Sequence, residues 1–294
     1  IKRFGHCHFM VILIIYMIFT DKLYYIIRVG DFATNANTKL YYSAFTTLLC
    51  LDDYFYNQST DCFTIMIYST IVWSVIEFFL HISNTRVIKP MVFYFFQRRY
   101  QLPNYLGIFL QGFQEGGCVT TIGLYFGDRL FDSYSYSYSG SISYSLIYFS
   151  RSFVFLHLLI LFIVCNVVFK KRINNCNSKR LVNAKSSVTL MSAITLYNCR
   201  NLYLYPEHVW RQLKMLFVMV YVCSFWTLAV WYKGFRMVEV YKKNVFDLDI
   251  IQRYKGFDTF YVLAYDVIFE IGMAYMFFYN VLIFRTFDKF LAAF

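Results

Sequence analysis

Six ionisable residues stand where apolar sequence surrounds them: Glu77, His81, Glu115, Arg129, Asp266 and Glu270. A charge within a lipid-facing helix costs a few kcal/mol or more, so such groups must face protein, water or a partner. Glu77 and His81 lie four apart in Trp73–His81 and share one helix face. They form a candidate polar pair, either a local hydrogen bond or a headgroup-level site. Glu115 and Arg129 are fourteen apart, just under four turns, so on a continuous helix they face the same way about 21 Å apart. Asp266, Glu270 and Met273 fall on one face of a later apolar run. A carboxylate shielded from water holds its proton more readily and can then load and release it. The same carboxylates can instead fix packing through an interhelical ion pair, and spacing does not separate these roles.

The elements that carry these residues are apolar stretches near the roughly 20 residues a spanning helix needs. Phe63–Leu80, Phe153–Phe169, Met215–Tyr232 and Phe260–Phe284 qualify. Phe9–Phe19, with an extension through Tyr24–Ile27, is weaker, as are Leu40–Leu51 and Leu106–Leu130. The expectation is an all-α, polytopic integral membrane protein with five to seven membrane helices. It forms a single membrane domain over residues 1–294 with no separate soluble domain. Lys2 and Arg3 before His8–Phe19 resemble a secretory signal, but no small-residue cleavage site follows, so an uncleaved first helix is expected.

Composition supports this reading. Hydrophobic residues make up 59% and charged residues 15%, with a mean hydropathy of +0.47. A soluble domain has about 25% charged residues. The net charge of +11 sits mainly at the ends of apolar runs, as a membrane flank does, which argues against nucleic-acid binding. Basic clusters lie at Arg86–Arg99, Lys170–Lys185 and Lys233–Lys255. The last two flank Met215–Tyr232, so they share a side only if Val188–Cys199 also crosses. Phe93–Phe96 reads as an interfacial aromatic belt, with Arg98 and Arg99 placed to bind lipid phosphate. Glu115-Gly116-Gly117 suits close helix approach rather than catalysis. Eight cysteines show no Cys-x-x-Cys spacing, so neither a disulfide framework nor a metal site is expected, and no cofactor motif is present.

Two resemblances enter on particular residues. Glu115 through Arg129-Leu130-Phe131 resembles the long helix of the proton-path subunit a of ATP synthase, with its essential Arg and an earlier carboxylate. Asp266 followed by Met273-Ala274-Tyr275-Met276-Phe277 resembles that family's last helix. The resemblance implies that Arg129 faces the rotor carboxylates and that Glu115, Asp266 and Glu270 lie on a proton path. Met273 stands where the family has an amide, and Asp128 beside Arg129 is placed to neutralise it. Trp73-x-x-x-Glu77-Phe78-x-x-His81 resembles the opening helix of membrane fatty-acid hydroxylases, but five histidines fall short of the about eight that family's di-iron site needs.

Phe (34) and Tyr (28) are abundant while Pro (3) and Gly (12) are scarce, the mark of AT-rich coding. This composition resembles the mitochondrially encoded membrane proteins of ciliates. The expected function is a multi-pass subunit of an energy-converting complex of the mitochondrial inner membrane, foremost a proton-translocating subunit a-like chain. The alternatives are a structural accessory subunit that binds lipid and a lipid-modifying enzyme. Expected partners are other membrane subunits and an anionic phospholipid such as cardiolipin.

Overall fold

The computed structural model describes residues 22–30, 34–131, 142–171, 178–182, 184–243, 248–254, 267, 271–272 and 274–285. The chain opens with strand β1 (Lys22–Arg28), then helices α1 (Ala36–Asn57) and α2 (Asp61–Ile82). Short strands β2 (Arg86–Ile88), β3 (Val92–Phe95) and β4 (Arg98–Gln101) follow. Next comes a helix in three parts: α3 (Asn104–Gly112), a π-helical turn Phe113–Cys118 and α4 (Val119–Phe131). Then come α5 (Ile142–Val168), β5 (Ser178–Val182), α6 (Ala184–Leu204) and α7 (Val209–Tyr232). Strands β6 (Arg236–Lys243) and β7 (Leu248–Tyr254) precede a 3-10 turn, Tyr275–Tyr279, and the short α8 (Asn280–Phe284).

The chain is mostly helical, as expected. Three stretches, Asp61–Ile82, Arg151–Val168 and Pro206–Tyr232, are helices long and apolar enough to cross a membrane. They coincide with three of the four strong apolar runs. Of the fourth, Phe260–Phe284, residues 267, 271–272 and 274–284 are described, and it ends in the 3-10 turn and the short α8; the run Phe9–Phe19 lies outside the described residues. Leu40–Leu51 is longer than its apolar run implied, because α1 spans 22 residues; its polar termini, including the Asn35 side chain that accepts the Thr38 amide, lie outside the hydrophobic count.

A five-stranded antiparallel sheet, in the order β2-β5-β1-β6-β7, was not anticipated. Tyr24–Ile27 belongs to its central strand and does not extend a first helix. The basic stretch Lys233–Lys255 supplies β6 and β7, and Phe93–Phe96 lies in a two-stranded hairpin with Arg98 and Arg99. The hairpin turns through Phe96 and Gln97, both at positive φ (42° and 65°). That twist suits a two-residue loop, though it is costly for a phenylalanine.

Strand pairing fixes the direction of the helices. β1 leads into α1, β2 follows α2, β5 precedes α6 and β6 follows α7, yet β2, β5, β1 and β6 share one sheet. Therefore α2 and α7 run toward the sheet, and α1 and α6 run away from it. Val167 at the end of α5 packs with Ile27, Val29, Val230 and Phe235, so α5 also ends at the sheet. The three basic clusters thus lie at one end of the bundle. α6, which contains Val188–Cys199, lies between Lys170–Lys185 and Lys233–Lys255 in the chain and runs away from the sheet before α7 returns to it, so both basic stretches flank the sheet.

The main core cluster of apolar side chains comes from α1, α2, α4, α5, α7, the 3-10 turn and α8, including Ile65, Leu124, Phe126, Met215 and Tyr279, with smaller clusters under the sheet and beside Met91. Glycines set its tightest contacts. A Cβ at Gly112 would lie 2.1 Å from Ser74 Oγ, and one at Gly116 2.5 Å from the Ser69 carbonyl oxygen. The helix backbones meet there through small residues, as Glu115-Gly116-Gly117 led us to expect. Gly116→Ala is expected to lower stability by about 1–3 kcal/mol, because backbone must move to admit the methyl group. Gly107→Ala, whose Cβ meets only the flexible Met91 side chain at 3.3 Å, should cost far less. Thermal unfolding midpoints of both variants in detergent provide the check.

Candidate functional site

The residues singled out by sequence divide between the two ends of the bundle. Glu77 and Glu115, on different helices and read separately, come together near the sheet. Arg86 on β2 joins them: its guanidinium pairs with Glu77 and donates to Glu115 at 3.1 Å from both Nη1 and Nη2. The side chains of Arg86 and Glu77 are each 1% exposed. Trp73 Nε1 donates to Glu115 Oε2 at 3.1 Å, and Gln111 donates to Oε1. Arg28 at the end of β1 donates to the same Oε1 at 3.4 Å. Lys39 on α1 donates to Gln111 and, at 2.6 Å, to Gln114.

The candidate pair of Glu77 with His81 is therefore corrected. They share a helix face, but Glu77 turns to Arg86, a stronger charged partner brought back by the short link after α2. The pairing of Glu115 with Arg129 on one continuous face also changes. The π-helical turn inserts extra backbone between them, and each ends in a separate ionic cluster.

Arg129 sits at the opposite end, 4% exposed. It donates to Asp52 at 3.0 Å and Asp53 at 3.2 Å, and its guanidinium lies 3.5 Å from the centre of the Tyr125 ring. The Tyr125 hydroxyl donates to Asp52. Asp128 pairs with Arg211 at 2.7 Å, and Arg211 reaches Asp61 at 2.6 Å. Arg285 joins Asp61 at 3.2 Å. Asp266, Glu270 and Met273 lie outside the described residues. Arg98 and Arg99 are exposed on the hairpin beside Phe95 and Phe96.

A cavity of about 140 Å³ opens beside the Glu115 cluster. Arg28, Lys39, Arg180 and Arg236 contribute cationic side chains to its wall, and Glu115 an anionic one. Val119, Ile122, Ile163, Met219 and Val222 make the rest largely apolar. Burial, followed by repulsion from Arg86, pulls Arg28 down to about 10, with Glu115 opposing the shift. Arg28 therefore stays charged at neutral pH. The arrangement can hold an anionic group against an apolar surface.

Sequence reasoning missed Arg28, Lys39, Gln111 and Arg86 as site residues. The signal of Arg28, Lys39 and Arg86 was weak because each lies at the edge of a polar segment, where a cation normally reads as a flank, and Gln111 is an uncharged amide within the run Leu106–Leu130. The described histidines offer no common centre: His81 ends α2, His157 bonds to Tyr221 at 3.0 Å, and His208 to Tyr279 at 3.1 Å. Among the described residues, no group of three His, Cys, Asp or Glu side chains could hold a metal ion. No family model, curated protein or solved structure matches the chain.

Arg86→Met should destabilise the protein by about 3–5 kcal/mol, because Glu77 is left buried without its cation. Adding Glu77→Gln should recover a large part of that loss. Unfolding of the two single variants and the double variant, compared as a cycle, measures the coupling.

Proposed function

We propose that this chain is a multi-pass membrane subunit that acts as a scaffold in an energy-converting complex of the mitochondrial inner membrane. The observation that carries the proposal is the separation of buried ionic clusters to the two ends of a bundle whose middle is apolar outside. On α2, Ile71, Val75, Phe78 and Phe79 are exposed; on α5, Val154, Leu158, Leu161 and Phe162; on α7, Phe217, Phe225 and Leu228. Exposed apolar surface on this scale is unfavourable in water and neutral in lipid. The 22 residues of α2 reach about 33 Å, near the roughly 30 Å of a hydrocarbon core.

In this reading α1, α2, α3–α4, α5, α6 and α7 cross alternately, with the sheet and its basic strands on the positively charged side. The hairpin carries Phe95, Phe96, Arg98 and Arg99 at the same end, suited to the headgroup layer and to an anionic phospholipid such as cardiolipin. The Phe- and Tyr-rich, Pro-poor composition supports an organellar gene and, with it, a mitochondrial membrane. A scaffold role is favoured over subunit a-like proton translocation by the state of Arg129. A rotor-facing arginine must present its charge outward, whereas Arg129 is turned inward to Asp52 and Asp53 and stacked on Tyr125.

Mild-detergent purification with identification of bound chains tests the assignment: a stable respiratory or ATP synthase assembly is expected, and recovery of a single chain would refute it. Topology has its own test. Cysteines introduced at Lys89, Lys171 and Lys233 should react with a membrane-impermeant maleimide from one side of sealed vesicles, and one at Gln58 from the other. Reaction of all four from the same side would defeat the alternating topology.

A further inference from the structure

The cavity beside Glu115 contains more hydrogen-bond donors than the surrounding protein uses. Arg28 offers five N–H donors, is 12% exposed, and makes a single long contact, 3.4 Å to Glu115. Lys39 is 2% exposed and spends two of its three donors on the amide oxygens of Gln111 and Gln114. Thr227 on α7 is 5% exposed, and its hydroxyl has no partner among the described residues. All three line the same cavity. Buried polar groups are nearly always satisfied, so three underused ones around one space point to a missing acceptor.

We propose that this cavity binds the phosphate group of an anionic phospholipid, with the start of an acyl chain along its apolar wall. The acceptor must be anionic because the donors include two buried cations. Four cationic side chains, Arg28, Lys39, Arg180 and Arg236, line the cavity against one carboxylate, Glu115, so its wall favours a phosphate. It must also carry an apolar portion, since Val119, Ile122, Ile163, Met219 and Val222 line the same space. Engineered cavities of about 150 Å³ accept a benzene ring, so 140 Å³ suits a headgroup phosphate and the first carbons attached to it, with the tails outside. Tetrahedral phosphate oxygens can accept from Arg28, Lys39 and Thr227 at once, and an arginine can engage two of them.

The site is separate from Arg98 and Arg99 on the hairpin, which can meet headgroups only from the surface. It rests on the reading that the bundle lies in a membrane, where such lipids are at hand. The labelling of sealed vesicles tests that reading independently of the ligand.

Native mass spectrometry of the detergent-purified, delipidated chain, titrated with phosphatidylglycerol, phosphatidylcholine or inorganic phosphate, tests the proposal. One phosphatidylglycerol should bind preferentially and survive collisional activation. Arg28→Gln and Lys39→Gln should each weaken it roughly ten- to hundredfold, Thr227→Val about fivefold, and Lys171→Gln not at all. Equal binding of phosphatidylcholine would overturn the charge assignment, and equal binding of inorganic phosphate would overturn the lipid. Unchanged binding in folded Arg28→Gln and Lys39→Gln would overturn the site. Should those two variants fail to fold, Thr227→Val decides, because it preserves shape and charge: wild-type affinity in that variant sinks the proposal.

Discussion

Arg86 ties the two levels of this molecule together. It sits on a strand of the sheet, but its guanidinium reaches into the helices to meet Glu77 on α2 and Glu115 on the π-helical turn. Removing a carboxylate from water costs several kcal/mol, and that cost is recovered only by a close, hydrogen-bonded cation. Glu77 and Glu115 therefore bind the cap to the bundle, because neither is tolerable within it alone. The close approach of α2 to the turn, permitted by Gly112 and Gly116, brings both carboxylates within reach of one guanidinium.

The opposite end obeys the same rule with reversed emphasis. Asp52, Asp53, Asp61 and Asp128 come from the ends of three helices and are gathered by Arg129, Arg211 and Arg285. Between the ends the described polar contacts are uncharged: hydroxyls that bond back to their own helices, such as Thr46 to Tyr42 and Ser224 to Val220, and interhelical bonds such as Ser69 to Thr120 and His157 to Tyr221. A bundle with charge locked at both ends and an oily middle has its depth and tilt in a bilayer set by those ends.

The sequence disclosed the apolar helices because their signal is local: a run of hydrophobic residues is sufficient. It disclosed that Glu77, Glu115 and Arg129 needed shelter for the same reason. It did not disclose who shelters them, because Arg86, Arg28 and Lys39 sit in polar segments where cations are unremarkable. The sheet was hidden more deeply. Lys22–Arg28 pairs with Ser178–Val182 and Arg236–Lys243, which lie about 150 and 210 positions away, and no single window contains both partners. The π-helical turn was likewise invisible: its Gln-Glu-Gly-Gly run reads as ordinary helix with small residues, and only its packing against α2 reveals the extra backbone.

The central strand also imposes an order of events. β1 precedes α1 in the chain, yet its two neighbours β5 and β6 follow α5 and α7, so its second edge is covered only once α1 to α7 have been made. Long-range strand pairing carries a large loop-closure cost and is slow. Closing the sheet thus depends on contacts that are far apart in the chain. Until β6 pairs, the contact of Arg28 at the end of β1 with Glu115 lacks its supporting neighbour, and β1 keeps an unpaired edge.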